Sequence, residues 1–223
     1  MNRILSWDGC QNVRDLGGLN TNRKSKTRWG AVVRSDHPAK LTTTGWAALH
    51  AYGIRTVISL RTDGQNEATT DIAPRPANLV TLELAIEDLS DEGFLNKWAA
   101  TDLWCTPLYY TDALKRWPER HAAVIRAVGQ AQPGGVLIHC QRGNDRTGII
   151  TLLLLALVGV PSEEIAADYE LSPDPEREEF LRREHTNTHD VILATLEGLD
   201  VQAYLRAGGL SEADLTAVRV RLL

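Results

Sequence analysis

Residues 136–160 read VLIHCQRGNDRTGIITLLLLALVGV. A short β-branched run reaches a cysteine, a polar stretch with two glycines follows, and a long apolar run closes the segment. The first run reads as a buried strand, VLIHC. The last, RTGIITLLLLALVG, is apolar on nearly every side and reads as a helix buried all round. A buried strand feeding a buried helix demands a sheet with helices packed on it, which is an α/β architecture. It also puts the polar loop at a strand C-terminus and a helix N-terminus, where α/β sheets bind ligands. Free N–H groups and the positive end of the helix dipole favour anions there.

Cys140 and Arg146, with five residues between them, give that loop a chemistry. An ordinary thiol titrates near 8.5 and is only a few per cent thiolate at neutral pH. Lowering it by roughly 3 units needs about 4 kcal/mol of preference for the anion. The helix end supplies about 0.3–2 kcal/mol of that. The rest falls to loop N–H groups turned inward and to Arg146. Gly143 and Gly148 allow the loop to curl and the backbone to approach closely. Arg146 can grip two oxygens with its planar fork. Cys140 is therefore the candidate nucleophile. Gln141, Arg142, Gly143, Asn144, Asp145, Arg146 and Thr147 form the candidate phosphate-binding loop.

The rest of the chain fits around this unit. Its 223 residues suffice for a sizeable core. A net charge of −5 gives no global sign of nucleic-acid binding. The charge is uneven: residues 1–40 hold eight Lys and Arg against three Asp, and 161–190 hold ten acids against three Arg. These read as solvated faces or, for the first, as a basic edge beside the anion site. Three sparse cysteines, Cys10, Cys105 and Cys140, make no disulfide framework and suit a reducing compartment. With no signal-like N-terminus and no run long enough to span a bilayer, the expectation is a cytoplasmic protein without a membrane span. No cluster has metal-ligand spacing, so no metal or cofactor is expected.

Residues 30–34, 54–60, 78–84 and 134–140 read as strands. Residues 42–53 read as a helix between the first two, and 118–135 give a helix and then a Pro-Gly-Gly turn into the last strand. Beyond 160 the periodicity is helical only: 162–171, 175–185, 187–197, 199–207 and 211–222. Residues 85–117 join a strand to a helix and are long for a connection. Their Trp98, Trp104, Tyr109, Tyr110 and Trp117 make either a satellite core or a lid over the site. The expectation is one domain over 1–223, three layers deep, with a mostly parallel sheet and a helical C-terminal half.

HCQRGNDRTG resembles the signature of cysteine-dependent tyrosine phosphatases. A narrower resemblance rests on NVRDLGG (12–18), VVRSD (32–36), GIRTVISLRTDGQNE (53–67), VPSEEIAADYELS (160–172) and VQAYLRAGGLSEADLTAVRVRL (201–222). These are similar to the bacterial and fungal tyrosine-phosphatase-like family with the loop HCxxGKDRTG, including its mycobacterial tyrosine/lipid phosphatase type. The resemblance is weak across 68–133. It implies phosphomonoester hydrolysis, with a phosphorylated protein or small phosphomonoester as substrate. Cys140 would attack phosphorus and form a phosphocysteine that water then hydrolyses. Arg146 would hold the equatorial oxygens, and Thr147 would donate to the sulfur. His139 would orient the backbone of the cysteine. The family pattern gives Asp145 as general acid, with Asp63 and Asp102 as alternatives. Arg14 and Asp15 either brace the loop or close a local turn. Two departures stand out. Asn144 replaces the usual Lys, which puts phosphoinositide activity in doubt unless Arg142 compensates, and Ser59 replaces the usual Asp. A phosphate-binding pseudoenzyme, or sulfur transfer or arsenate reduction on a similar loop, are the other classes.

Overall fold

The computed structural model describes residues 2–61, 71–172 and 174–223, the side chains of Asp102 and Cys105 apart. Five strands form one sheet: β1 (Arg14–Asp15), β2 (Val32–Ser35), β3 (Ile54–Ser59), β4 (Val80–Glu83) and β5 (Gly135–His139). Their order is β1-β2-β5-β3-β4, with β1 antiparallel on the edge and the rest parallel. β5 lies between β2 and β3 and is buried along its whole length. Ser35 on one side and Ser59 on the other both pair with His139. Cys140 thus leaves the sheet from its central strand. The two-residue β1 is the strand that alternation could not reveal, being too short to show a period.

Side-chain alternation sends the strands' residues to two cores. Val33, Val57 and Leu137 pack against Trp46 and Leu49 of α1 (Thr43–Ala51). Thr42 caps that helix by accepting from Gly45 N–H, and Gly53 follows it at φ +99°. Val32, Ile58, Val136 and Ile138 face the opposite way, toward α5 (Asp145–Leu157), whose Ile149 to Leu155 are all buried. Helices lie on both faces of the sheet, which makes the three layers expected.

On the α5 side, α4 (Pro118–Gln130) precedes β5. After α5 come α6 (Ser162–Glu170), α7 (Pro175–Arg183), α8 (Thr188–Glu197), α9 (Val201–Ala207) and α10 (Glu212–Leu222). Each lies within two residues of the expected bounds. The 85–117 segment winds into short turns that include α2 (Glu92–Phe94) and ends in α3 (Tyr110–Arg116). Its Tyr109, Tyr110 and Trp117 are buried in the main core, with Trp98 and Trp104 packed against it. Phe94 is their hub, edge-on to Trp104, Tyr109 and Trp117.

The basic N-terminal edge divides. Arg23 to Arg28 precede β2 and lie at the N-terminal ends of the strands, where Arg28 N–H donates to Leu222 C=O and Asn22 N–H to Gly159 C=O. That is the end of the sheet away from the Cys140 loop. This part of the edge does not flank the anion site, because β2 runs parallel to β5 and its start points the other way. Arg3, Arg14 and Arg34 lie at the loop end.

Candidate active site

The Cys140–Arg146 loop is held from outside by its carbonyls. His139 Nδ1 meets Cys140 C=O at 3.0 Å. His37 N–H donates to Gln141 C=O (3.2 Å), Asn12 Nδ2 to Arg142 C=O (3.1 Å), and Arg34 Nη2 to Gly143 C=O (2.7 Å) and Asn144 C=O (3.3 Å). None of the peptides is cis. In a trans peptide the N–H lies opposite the C=O. The N–H groups of residues 141–145 therefore turn away from these donors, toward the interior of the loop. Gly143 makes the curl with φ +73°, and a Cβ there would lie 2.4 Å from Ser35 carbonyl oxygen. No other residue fits against the end of β2 in that conformation.

The donors are themselves fixed by a buried carboxylate. Asp168 of α6 is paired with Arg14 (3.2 Å), Arg34 (2.9 Å) and Arg3. Burial would push its carboxyl up, but the three guanidinium groups hold it well below the carboxylate range. Burial and the neighbouring Arg34 lower Arg14 to about 10. Ser172 Oγ accepts from both Arg14 (2.9 Å) and Arg34 (3.2 Å), and Arg14 also donates to Asn12 Oδ1 (2.6 Å). Arg14 thus braces the loop through Asn12. Asp15 closes the local turn, accepting from Gly17 N–H and Gly30 N–H at 2.7 Å each. Asn12, Arg34, Asp168 and Ser172 lie inside the quoted motifs, yet spacing along the chain gave them no role. They come from three separate segments and meet only in the fold.

Cys140, 3% exposed, sits at the base of the loop. Arg146 stands on the first turn of α5, its Nε 4.0 Å from Glu87 Oε2. Burial works against the Arg146 charge, but Cys140 and Glu87 outweigh it and strengthen its hold on the proton. Glu87 itself is 1% exposed. Its burial pushes the carboxyl up, against Arg146, Tyr109 and Trp104. Nothing in the sequence marked Glu87, because it sits among several acids in the weakly matching segment.

Asp145 is the first residue of α5. Tyr169 hydroxyl donates to Asp145 Oδ1 (2.8 Å), and Tyr110 hydroxyl to Asp145 main-chain oxygen (2.6 Å). Loss of hydration raises its carboxyl above the usual range, with Tyr169, Arg177 and Arg146 opposing and Asp174 adding to the rise. The neutral form of this acid is thereby favoured at the head of α5. Thr147 is fully buried two residues further on, and its Oγ1 has no hydrogen-bond partner among the described residues.

The side chains of the remaining loop residues point elsewhere. Asn144 is buried: its Oδ1 accepts from Asn12 (2.7 Å), and its Nδ2 donates to Asp174 Oδ2 (3.3 Å). Arg142, on the rim, pairs with the same Asp174 oxygen at 3.1 Å. Gln141 is exposed. His139 is buried, its pKa lowered by burial to about 3, and it stacks edge-on with His37 at 4.9 Å. It is neutral at physiological pH and holds the Cys140 backbone, as the resemblance implied. Ser59 ends β3 beside His139. Burial, then Asp36, push the Cys10 thiol up, so it is no reactive partner thiol. Asp63 and the side chain of Asp102 lie outside the described residues.

A family model described as "Tyrosine phosphatase family" matches residues 5–223. A Cupriavidus necator protein named as a tyrosine-protein phosphatase is 26% identical over 167 residues, covering 74% of this chain and 61% of its own length. The chain thus spans less than two thirds of that relative. A tyrosine-protein phosphatase of Nostoc commune is 27% identical over 218 residues, covering 86% of this chain and 74% of its own. The triple specificity protein phosphatase PtpB of Mycobacterium tuberculosis is 27% identical over 201 residues, covering 77% and 70%. Among solved structures, P. aeruginosa TpbA in complex with phosphotyrosine aligns with a TM-score of 0.46 at 19% identity, over 81% of this chain and 86% of that one.

Proposed function

The chain belongs to the tyrosine phosphatase family, and from that premise we propose that residues 1–223 act as a single phosphatase domain. It hydrolyses phosphomonoesters through a phosphocysteine, with phosphotyrosine as the default substrate. The observation that carries this reading is the loop whose carbonyls from Cys140 to Gly143 are bonded to groups outside it. It leaves converging N–H groups over Cys140, flanked by a guanidinium and a raised carboxyl.

The phosphoryl oxygens sit on the loop N–H groups and on Arg146, which binds more tightly as charge moves to the equatorial oxygens. The Cys140 thiolate forms the S–P bond in line as the P–O bond to the leaving group breaks. Asp145 gives its proton to the departing oxygen. The resulting carboxylate then takes a proton from water, whose oxygen attacks phosphorus. The S–P bond breaks, phosphate leaves, and the thiolate returns, with the buried Thr147 hydroxyl donating to the sulfur. The side chain of Asn144 is engaged with Asn12 and Asp174, and Arg142 is paired with Asp174. This supports a preference for a single phosphate over a polyphosphorylated head group. The chemistry needs no metal, since guanidinium and amides meet the charge, and the sparse cysteines suit a reducing cytoplasm.

The deciding experiment is hydrolysis of p-nitrophenyl phosphate and of a panel of phosphotyrosine peptides and phosphoinositides. Cys140→Ser is expected to abolish turnover while retaining phosphate-analogue binding, with chelators without effect. Turnover in a clean Cys140→Ser preparation would sink the mechanism. Binding without turnover in the wild type would leave a phosphate-binding protein.

A further inference from the structure

Asp145 is held at two points by two tyrosines of different origin. Tyr110 comes from the 85–117 segment and fixes the main chain. Tyr169 comes from α6 and touches the carboxyl itself, at Oδ1. Their rings meet edge-on at 6.0 Å and 87°. Both press on Gly148, where a Cβ would lie 2.3 Å from Tyr169 Cε2 and 2.4 Å from Tyr110 Oη. Gly148 is therefore needed for the tyrosine pair to reach the acid. Behind Tyr169, the buried Arg177 guanidinium lies 4.9 Å from the ring centroid, its Nη2 donating to Ser172 C=O at 3.0 Å.

We propose that Tyr169 is the positioning residue for the acid's proton: its hydroxyl occupies Asp145 Oδ1 and leaves Oδ2 to carry the proton toward the leaving group. This rests on Asp145 being the general acid. A carboxyl free to rotate would present either oxygen, and half its orientations would be wasted. With Oδ1 fixed as acceptor, one orientation remains. The same bond stabilises the carboxylate left after proton transfer.

The charges around Asp145 give the sign of the effect. Arg146 on its own helix, and Arg177 on α7, favour the carboxylate; Asp174, between α6 and α7, and Glu87 of the 85–117 segment oppose it. Tyr109, Tyr110 and Tyr169 all titrate far above the working range, so Tyr169 keeps its proton and remains a donor. Removing its hydroxyl takes away a stabilising bond to the anion. Asp145 becomes a weaker acid, and the high-pH limb of kcat moves up.

The test is Tyr169→Phe, which keeps the ring against Gly148 and removes one oxygen. The basic limb is expected to rise by about one pH unit, the scale of one charge-assisted hydrogen bond. Turnover of aryl phosphates with poor leaving groups should fall about 10-fold, and that of good ones little. Tyr110→Phe, which frees the main-chain oxygen of Asp145 and leaves Oδ1 bonded to Tyr169, should slow both substrates alike and leave the limb in place. In an Asp145→Asn background, Tyr169→Phe should cost nothing further. An equal additional loss there would show that Tyr169 acts through something other than Asp145. An unchanged limb and unchanged leaving-group dependence in Tyr169→Phe would also overturn the proposal. If Asp145→Asn itself keeps the wild-type basic limb, the general-acid assignment fails first, whatever Tyr169→Phe does.

Discussion

Glu87 is a buried carboxyl set beside Arg146, so its burial bears on both the fold and the site. A carboxyl that is 1% exposed and raised by burial is unfavourable for stability near neutral pH. Its Oε2 lies 4.0 Å from Arg146 Nε, within reach to hold the guanidinium in place. Glu87→Gln is therefore expected to keep or raise the melting temperature while kcat/KM falls about 10- to 100-fold, the range of one lost charge-assisted contact. Parallel calorimetry and kinetics check both halves; a loss of stability with unchanged kcat/KM would make Glu87 structural. Asn144 offers the opposite case. Because its side chain meets Asp174 in a buried position, Asn144→Lys would place an ammonium against that carboxylate. The gain on phosphoinositides should then stay below about 10-fold, less than one full charge-assisted contact. A larger gain, read as kcat/KM on both substrate classes, would mean that the new lysine reaches the mouth of the loop.

Among the elements, β1, β2 and α6 are tied together at Asp168. Arg14 and Arg34 reach it from adjacent strands, with Ser172 shared between them. β1 runs antiparallel to β2, which sets Arg14 opposite Arg34 near the C-terminal end of β2, so two strand arginines and one helix acid can meet there. Asp168→Asn would leave buried guanidinium groups without their anion, and stability in chemical denaturation is expected to fall by about 3–5 kcal/mol. Arg3→Ala, which removes a partly exposed partner, should cost under about 1 kcal/mol. The depressed Asp168 carboxyl contributes stability above its unfolded pKa of about 3.9, and the contribution is lost as pH falls through the lower folded value.

For the molecule as a whole, buried histidines set the acid side of stability. His121 is fully buried between α4 and α9, its Nδ1 2.6 Å from Tyr204 hydroxyl, and burial lowers its pKa to about 3. The unfolded chain titrates near 6.5, so stability is complete above that value and falls as pH drops below it. From pH 7 to 5 the loss through this one group is about 2 kcal/mol. The stability difference between wild type and a non-titrating His121→Gln should shift by that amount in favour of the variant over this range. Urea titrations at both pH values measure it, and a constant difference would mean that His121 titrates in the fold as it does in the unfolded chain.

The sequence by itself determined the layers and the loop. An apolar strand, a cysteine, five residues, an arginine and a helix buried all round admit few folds, and local periodicity placed the strands that flank them. Close spacing along the chain also marked Cys140 and Arg146 as candidates, and the family resemblance added Asp145 as the expected acid beside Asp63 and Asp102. Only the tertiary structure decided what surrounds them. Glu87 reaches Arg146 from a segment with no periodic signal, and Tyr169 reaches Asp145 from the following helix. Asn144 turns inward because Asn12 and Asp174 satisfy its amide. These contacts join residues from 24 to 132 positions apart. A one-dimensional pattern carries no record of such pairs; they exist because the parallel sheet brings its strand ends, and the helices behind them, to one edge.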